Sequence, residues 1–147
     1  MARPITATMI LRRMDDIFVG RLMTSDPVTV SPDTLVEDAA ALMLDESIGS
    51  LIVVDDDNQI EGILTSTDFV EIVKDSKPKA KTTVERYMST DVMTTTAQAP
   101  IEEVADLMLG EGIHHVPVVD DTEGVIGIIS TTDLTAYIST VQTPSPA

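Results

Sequence analysis

The pattern of apolar and polar residues along the chain predicts alternating strands and helices. Leu51–Val54 is an apolar run too short for a helix, and the polar segment Asp55–Gln59 separates it from a second run, Ile60–Leu64. Two such runs joined by turn-forming residues predict a β-hairpin. Apolar residues recur at helical spacing over 35–43, before the hairpin, and again over Thr67–Val73 after it. A helix is therefore expected on each side of the hairpin.

Turn and capping residues indicate where the first of these elements begin. Pro27–Val30 is rich in β-branched residues and predicts a short strand, which Ser31–Asp33 ends. Thr34 precedes Glu37 by three residues, the spacing of a capping box, and predicts the start of the first helix.

The whole pattern occurs twice. A shift of 65 positions aligns residues 21–73 with residues 86–138 without a gap, and about a third of the aligned positions are identical. The second copy predicts a strand, a helix start, a hairpin and a closing helix at Met93–Thr96, Pro100, Val116–Val119 with Val125–Ile129, and Thr132–Ile138. Because one copy buries little surface alone, the copies are expected to pack on each other, with any ligand site duplicated about a pseudo-two-fold axis.

The composition narrows the chemistry. Aromatic residues make up 3% of the 147 residues, so the core must be aliphatic. No cysteine is present, which excludes disulfides, thiol catalysis and thiolate metal sites and fits a cytoplasmic protein. The first residues lack the apolar run of a signal peptide, and no segment is long enough to predict a membrane span.

The net charge of −16, with only nine Lys and Arg residues, predicts that neither nucleic acid nor an anionic membrane is a partner. The depletion of lysine favours a halophilic, haloarchaeal protein, because near-molar salt shortens the screening length to about 3 Å. An acidic protein from a low-salt cytosol is the alternative. All lysines fall in the segment 74–83, which we interpret as a solvated linker rather than a basic patch.

One motif carries candidate chemistry in both copies. Gly62–Asp68 reads Gly-Ile-Leu-Thr-Ser-Thr-Asp, and Gly127–Asp133 reads Gly-Ile-Ile-Ser-Thr-Thr-Asp. In one interpretation Thr65 or Ser130 caps a helix whose first turn contains the aspartate. In the other, the carboxylate accepts two hydrogen bonds from a ribose diol while nearby hydroxyls bind sugar or phosphate at the helix N-terminus. One aspartate can do both.

The repeat resembles the CBS domain, a family named after cystathionine β-synthase and found in tandem pairs. The resemblance rests on the strand–helix–hairpin–helix order, the Val53–Asp56 and Pro117–Asp121 hairpin strands, and the Gly-x-x-Thr/Ser-x-x-Asp endings. It implies an α+β (α/β) fold of two β-α-β-β-α repeats packed about a pseudo-two-fold axis. The expected organisation is a lead-in segment at 1–18, a first CBS repeat at 19–75, a linker at 76–83, a second CBS repeat at 84–139 and a flexible tail at 140–147.

The resemblance also implies a function: binding an adenosyl ligand, such as AMP, ADP, ATP or S-adenosylmethionine, in the clefts between repeats. On that model Asp68 and Asp133 hold ribose hydroxyls, assisted at ribose or phosphate by Thr65, Thr67, Ser130 and Thr132. Adenine is expected to contact mainly backbone groups of Val28, Thr29, Val30, Ser31, Met93, Thr94, Thr95 and Thr96, flanked by the side chains of Ile63 and Ile128. The ligand is regulatory, and no cofactor is required.

His114 and His115 are the only histidines, and related CBS pairs carry a basic residue here that reaches ligand phosphates. The first copy has Gly49 and Ser50 at the equivalent positions. The second site is therefore expected to favour phosphate, and the first to take an uncharged ligand or none. The alternative is that one histidine packs at the strand entry and the other is solvated.

Other functions have less support. No motif of a catalytic site is present, so the protein is not expected to be an enzyme, and no metal site is predicted. The aspartates at 55–57 and 120–121 fit turn chemistry better than a cation site. The expected partners are the adenosyl ligand, a second copy of the chain in a disc of four repeats, and a regulated protein. The rival functions are a ligand-free interaction scaffold and a divalent-cation sensor.

Overall fold

The computed structural model describes residues 17–75 and 81–142. Residues 1–16, 76–80 and 143–147, which hold most of the predicted lead-in segment, linker and tail, lie outside the described residues. In chain order the elements are α1 (Val19–Leu22), β1 (Thr24–Ser25), β2 (Thr29–Val30), α2 (Val36–Glu46), β3 (Ser50–Val54), β4 (Ile60–Thr65), α3 (Ser66–Asp75), a 3₁₀ turn (Val84–Arg86), α4 (Ile101–Glu111), β5 (His115–Asp120), β6 (Gly124–Ser130) and α5 (Thr131–Gln142).

The described residues form two compact units. The repeat-1 unit contains residues 26–75, 81–93 and 121–125 and has the sheet β2-β3-β4. The repeat-2 unit contains residues 17–25, 94–120 and 126–142 and has the sheet β1-β6-β5. Helices and strands mix in each unit, which confirms the α+β class. None of the described helices combines the length and hydrophobicity needed to span a lipid bilayer.

Each unit includes the segment that precedes the other repeat in the sequence. Val19 N–H donates to the Ala99 carbonyl at 2.8 Å, which joins residues 17–25 to the repeat-2 unit. Val84 N–H donates to the Thr34 carbonyl at 2.8 Å and joins residues 81–93 to the repeat-1 unit. The compact units therefore differ from repeats read along the chain, because backbone pairing recruits sequence-distant segments.

The predicted hairpin of the first copy is confirmed. Strands β3 and β4 pair antiparallel, with Ser50 opposite Thr65 and Ile52 opposite Ile63, and β2 runs parallel to β3. The turn closes when Asp55 Oδ1 accepts the N–H groups of Asp57 and Gln59, both at 2.9 Å. This geometry confirms the turn interpretation of the acidic run.

The capping box predicted at Thr34 and Glu37 is wrong. Helix α2 begins after Leu35, which makes no side-chain capping hydrogen bond. The N–H of Val36 instead donates to the Thr82 carbonyl at 2.9 Å, and Thr34 Oγ1 lies 3.2 Å from Ser31 Oγ. A backbone partner from residues 81–93 thus replaces the local cap.

The strand predicted at Met93–Thr96 is also wrong. A single parallel bridge forms between Thr95 and Val118, in which Thr95 N–H donates to the Pro117 carbonyl and Val119 N–H donates to the Thr95 carbonyl. The next bond toward Met93 would need an N–H on residue 117, which proline lacks. The equivalent residue of the first copy is Ile52, and there β2 forms.

Both cores are aliphatic, as the composition predicts. Fully buried side chains include Leu51, Val53, Leu64 and Val84 in the repeat-1 unit and Val19, Ile101, Val104, Val116, Val118 and Ile129 in the repeat-2 unit. Burying each such side chain is worth about 1.5–3 kcal/mol. These cores pack against the strands and helices that carry the candidate site residues.

Candidate functional site

Asp68 lies in the first turn of α3, immediately after strand β4. Its Oδ2 accepts the backbone N–H of Thr65 at 2.7 Å and lies 3.4 Å from the Thr65 hydroxyl. The carboxylate therefore satisfies a donor at the strand-to-helix junction and places negative charge at the helix N-terminus. The aspartate half of the capping interpretation is thus present at this position, whereas the Thr65 hydroxyl accepts no hydrogen bond from the described residues of α3.

Asp133 has the same place at the start of α5, and its cap is more complete. Its Oδ2 accepts the Ser130 N–H at 2.9 Å and the Ser130 hydroxyl at 3.1 Å. In return, the Asp133 N–H donates to Ser130 Oγ at 3.3 Å. This reciprocal pair is a capping box, and it fixes the orientation of the carboxylate.

Capping occupies one oxygen of each aspartate. Within residues 17–75 and 81–142, the hydrogen bonds to Asp68 and Asp133 all end on Oδ2, and Oδ1 accepts none. Both side chains are half-buried, so solvent still reaches them. The geometry is therefore compatible with a structural role for Oδ2 and a ligand hydroxyl on Oδ1 of the same residue.

The residues predicted to meet adenine are partly brought together. In the repeat-1 unit Thr29 pairs with Ile52, and Ile52 pairs with Ile63, so Thr29 and Ile63 share one row of the sheet. Two strand spacings separate them by about 10 Å. The Ile63 N–H donates to the Ser89 carbonyl, and the Ser89 N–H donates to the Ile63 carbonyl. The Ile63 side chain is buried. Ile63 can therefore offer only the edge of its side chain.

The second copy is less regular. Thr94, Thr95 and Thr96 belong to the repeat-2 unit with Asp133, whereas Met93 belongs to the repeat-1 unit. The N–H and carbonyl of Thr95 are both used in the bridge to residues 117–119. Exposed Thr94 and Thr96 are thus the better placed of these residues for new backbone contacts.

The two histidines face different surroundings. His114 is exposed and lines an apolar groove between α4 and α5, and its carbonyl accepts the Thr131 N–H at 3.0 Å. His115 is half-buried, and burial together with the nearby His114 charge lowers its pKa, opposed by Asp133. His115 therefore lies within electrostatic reach of the candidate ribose carboxylate. At the equivalent position of the first copy, Ser50 is 7% exposed.

Sequence reasoning did not identify two apolar grooves, one in each unit. The groove between α2 and α3 encloses about 280 Å³, and the groove between α4 and α5 about 260 Å³. Beside them Leu44 and Leu109, equivalent in the two copies, are 80% and 83% exposed. The available signal was the repeated Leu-Met-Leu, whose last leucine falls outside the buried helical stripe.

No group of three or more His, Asp or Glu side chains in the described part of the chain is arranged to hold a metal ion.

A family model for the CBS domain matches residues 19–75 and 84–140, which is most of the chain. The protein belongs to the CBS-domain family. It contains two CBS domains in tandem, and a CBS pair is a regulatory module.

Curated relatives include proteins of quite different length. An uncharacterized 17.7 kDa protein of Acidianus ambivalens is 31% identical over 125 residues, which cover 85% of this chain and 75% of that protein. Homoserine O-acetyltransferase of Methanosalsum zhilinae is 38% identical over 125 residues, again 85% of this chain but only 25% of that enzyme. The matched region is thus about a quarter of that enzyme. The similarity therefore does not assign the enzyme's activity to this chain.

Solved structures similar to this CBS pair include one with bound ligands. The CBS-domain pair of protein MJ0100, in complex with 5′-methylthioadenosine and S-adenosyl-L-methionine, has a TM-score of 0.77 and 28% identity over 84% of this chain and 97% of that one. An acetoin utilization protein (AcuB) from Vibrio cholerae has a TM-score of 0.77 and 28% identity over 85% of this chain and 92% of that one.

Proposed function

We propose that this CBS pair is a regulatory sensor, not an enzyme, and that each unit binds the ribose of an adenosyl ligand through its capping aspartate. The observation that carries the proposal is that the two carboxylate oxygens of Asp68, and likewise of Asp133, have different roles. In each, Oδ2 is held by the cap while Oδ1 accepts no hydrogen bond from the described residues. A ribose diol supplies two hydroxyl donors, and a fixed carboxylate is a strong acceptor for them.

The surroundings support the same ligand. Thr67 and Thr132 lie in the first turns of α3 and α5 and are exposed. Thr65 and Ser130 are the last strand residues before these helices, whose N-terminal dipoles favour an anionic group. The similarity to the MJ0100 pair, which binds 5′-methylthioadenosine and S-adenosyl-L-methionine, favours an adenosyl compound. Val28–Ser31, exposed Thr94 and Thr96, and the side chains of Ile63 and Ile128 are the proposed adenine contacts.

The two sites are proposed to differ in the ligand charge that they accept. In the repeat-2 unit His115 lies within electrostatic reach of Asp133, and its imidazole N–H is a donor for a ligand phosphate, in the neutral form as well as in the cationic form below its lowered pKa. In the repeat-1 unit the equivalent Ser50 is buried and uncharged. That site is proposed to prefer an uncharged or cationic adenosyl compound.

The regulatory step follows from the linkage between binding and conformation. A ligand shifts the protein only as far as it binds one conformation better than another, and the shifted state is what a regulated partner protein recognises. The strand-to-helix junctions at Asp68 and Asp133 are the places where ligand contact and helix position meet. We propose that ligand binding is read out through α3 and α5.

A second copy of the chain is the proposed structural partner, in a disc of four repeats. The grooves between α2 and α3 and between α4 and α5, with exposed Leu44 and Leu109 beside them, are the proposed contact surfaces. Light scattering should give a dimeric mass for the wild type, and Leu44→Glu with Leu109→Glu should give a monomer. A monomeric wild type at every concentration would exclude the dimer.

Thermal unfolding with and without ligand tests the sensor proposal. At 100 times its dissociation constant a ligand adds about 2.7 kcal/mol to the free energy of unfolding. We expect a raised Tm with 5′-methylthioadenosine, S-adenosylmethionine or AMP, and we expect KCl to strengthen AMP binding most, because the protein is itself strongly anionic.

The rival functions predict different shifts of Tm in the same thermal unfolding experiment. An interaction scaffold, in which the aspartates only cap helices, predicts no shift with any adenosyl compound. A divalent-cation sensor predicts a shift with Mg²⁺ alone.

A further inference from the structure

The repeat-1 unit contains a hydrogen-bonded contact between two turns. Residues 121–125, which follow β5, belong to this unit together with the turn 55–59 between β3 and β4. The Asn58 side-chain amide donates to the Glu123 carbonyl and to the Val125 carbonyl, both at 2.8 Å. The Val125 N–H donates to the Asn58 carbonyl at 3.0 Å. Asn58 thus makes three hydrogen bonds to residues 121–125, a contact that we call the Asn58 junction.

The backbone on both sides of the junction is suited to a close approach. Asn58 and Gly124 both have positive φ, 63° and 78°, a conformation that asparagine and glycine tolerate better than other residues. A Cβ on Gly124 would overlap the Asn58 carbonyl oxygen. The 65-residue shift places Glu123 opposite Asn58 and Gln59 opposite Gly124. The amide donor and the glycine are therefore each present in one copy only, and the junction is not a repeated feature.

The junction lies outside both aliphatic cores. Val125 is buried, but it belongs to neither core cluster. The bond from Asn58 to Glu123 is exposed, and the bond to the Val125 carbonyl is half-buried. Attachment of residues 121–125 therefore relies on hydrogen bonds that compete with water, and it can open without disrupting a core.

The two turns are strongly acidic. They contain five carboxylates and no basic residue: Asp55, Asp56, Asp57, Asp121 and Glu123. Because the turns are one hydrogen bond apart, carboxylates of one turn lie on the order of 10 Å from those of the other, about one Debye length at 0.1 M salt. Near 1 M salt that length falls to about 3 Å. Repulsion therefore opposes the junction in dilute salt and is screened in concentrated salt.

We propose that the Asn58 junction responds to ionic strength. It is closed in concentrated salt, and as the salt concentration falls it releases residues 121–125 from the repeat-1 unit before the unit unfolds. Asn58 supplies the hydrogen bonds that close the junction, and the carboxylates supply its salt dependence. Ionic strength is then a second input to this regulatory module, independent of the adenosyl ligand.

Hydrogen exchange of the Val125 N–H, followed by NMR in the ligand-free protein, measures the opening. Expressed as a protection factor, protection of Val125 should rise about fivefold between about 0.1 M and about 1 M KCl. The Leu64 N–H is the reference, because Leu64 is fully buried in the core of the same unit. Equal protection of Val125 and Leu64 at every KCl concentration would show that the turn opens only when the unit unfolds, and would overturn the proposal.

Two substitutions of Asn58 test the hydrogen bonds. Asn58→Gly keeps the left-handed backbone conformation but removes the amide, and Asn58→Asp replaces the donor by a carboxylate of similar shape. Each should lower the protection of Val125 about tenfold or more at high salt and leave that of Leu64 unchanged. Unchanged protection of Val125 in both variants would overturn the role of Asn58.

A matched pair of double variants tests the charges. Asp56→Asn with Asp57→Asn removes two exposed carboxylates from the first turn, whereas Asp45→Asn with Glu46→Gln removes two exposed carboxylates from the end of α2. The turn variant should protect Val125 in dilute salt and lose most of the dependence on KCl, and the α2 variant should respond like the wild type. The same KCl dependence in both double variants would assign the effect to net charge and overturn the local explanation.

Discussion

Protonation of His115 is the residue-scale property most open to measurement. Its pKa is lowered from 6.5, chiefly by burial and next by His114, so the folded protein holds this proton less tightly than the unfolded chain. Below pH 6.5 the unfolded state therefore binds more protons, and the free energy of unfolding falls as the pH drops toward the lowered pKa. Above pH 6.5 His115 is largely unprotonated in both states, so its contribution to the free energy of unfolding no longer changes with pH.

Urea denaturation at pH values on both sides of 6.5 tests this linkage. The wild type should lose stability on acidification, and His115→Gln should lose less. His114→Gln is the comparison: it removes the second cause of the lowered pKa but leaves the half-buried imidazole of His115 in place, so it should keep most of the pH dependence. Equal pH dependence in the wild type and His115→Gln would show that His115 is not responsible.

The residues that end α2 and α4 offer a matched pair of substitutions. Ser47 and Gly112 are equivalent in the two copies, and both adopt the left-handed conformation, with φ of 54° and 65°. This conformation costs an L-residue about 1 kcal/mol, whereas glycine adopts it freely. Ser47→Gly should therefore stabilise the protein by up to about 1 kcal/mol, and Gly112→Ser should destabilise it by a similar amount. In urea denaturation, a destabilised Ser47→Gly together with a stabilised Gly112→Ser would contradict the conformational explanation.

At the scale of elements, a glycine in each hairpin makes room for a methionine from residues 81–93 or residues 17–25. A Cβ on Gly62 would lie 2.7 Å from Met88 Sδ and 2.8 Å from the Ser89 carbonyl oxygen. A Cβ on Gly127 would lie 2.6 Å from Met23 Sδ and 2.9 Å from the Thr24 carbonyl oxygen. Because a backbone oxygen is involved in each case, a side-chain shift alone cannot relieve the clash.

Alanine at these glycines is expected to push residues 88–89 and 23–24 away from the sheets. Gly62→Ala and Gly127→Ala should each cost about 1–3 kcal/mol of unfolding free energy. Gly110→Ala is the matched control, since a Cβ there meets nothing within 4 Å, and alanine favours the helix interior by about 0.5–1 kcal/mol. Chemical denaturation of the three variants measures the change in the free energy of unfolding. An unchanged value in Gly62→Ala would show that Met88 and Ser89 move away from the sheet at little cost.

The sequence predicted the elements whose signal is local. Both hairpins and the closing helices follow from apolar runs and turn residues, and the capping role of Asp68 and Asp133 follows from three-residue spacing. The failures arose where a distant partner or a missing N–H decided the outcome. Thr82 replaced the cap expected from Thr34, and Pro117 prevented the strand expected at Met93–Thr96.

At the scale of the whole molecule, the duplication predicted a candidate site in each unit but not how its parts are recruited. Residues 17–25 join the repeat-2 unit and residues 81–93 the repeat-1 unit, an arrangement that no local pattern specifies. The separate surroundings of His114 and His115 likewise depended on three-dimensional structure. What duplication did give correctly is the equivalence of Asp68 and Asp133, on which the proposed function depends.

Calorimetric titration with 5′-methylthioadenosine and AMP tests most directly whether Asp68 and Asp133 bind ribose. The proteins are the wild type, Asp68→Asn, Asp133→Asn and the double variant, because asparagine retains an oxygen for the cap but loses the charge that strengthens a ribose bond by about 1 kcal/mol or more. Asp56→Asn, in an exposed turn, is the control.

The account predicts that each single variant weakens one site about tenfold, that Asp133→Asn affects AMP more than Asp68→Asn does, and that the double variant weakens both sites. Unchanged dissociation constants in a folded double variant would contradict the central claim that these carboxylates bind ribose.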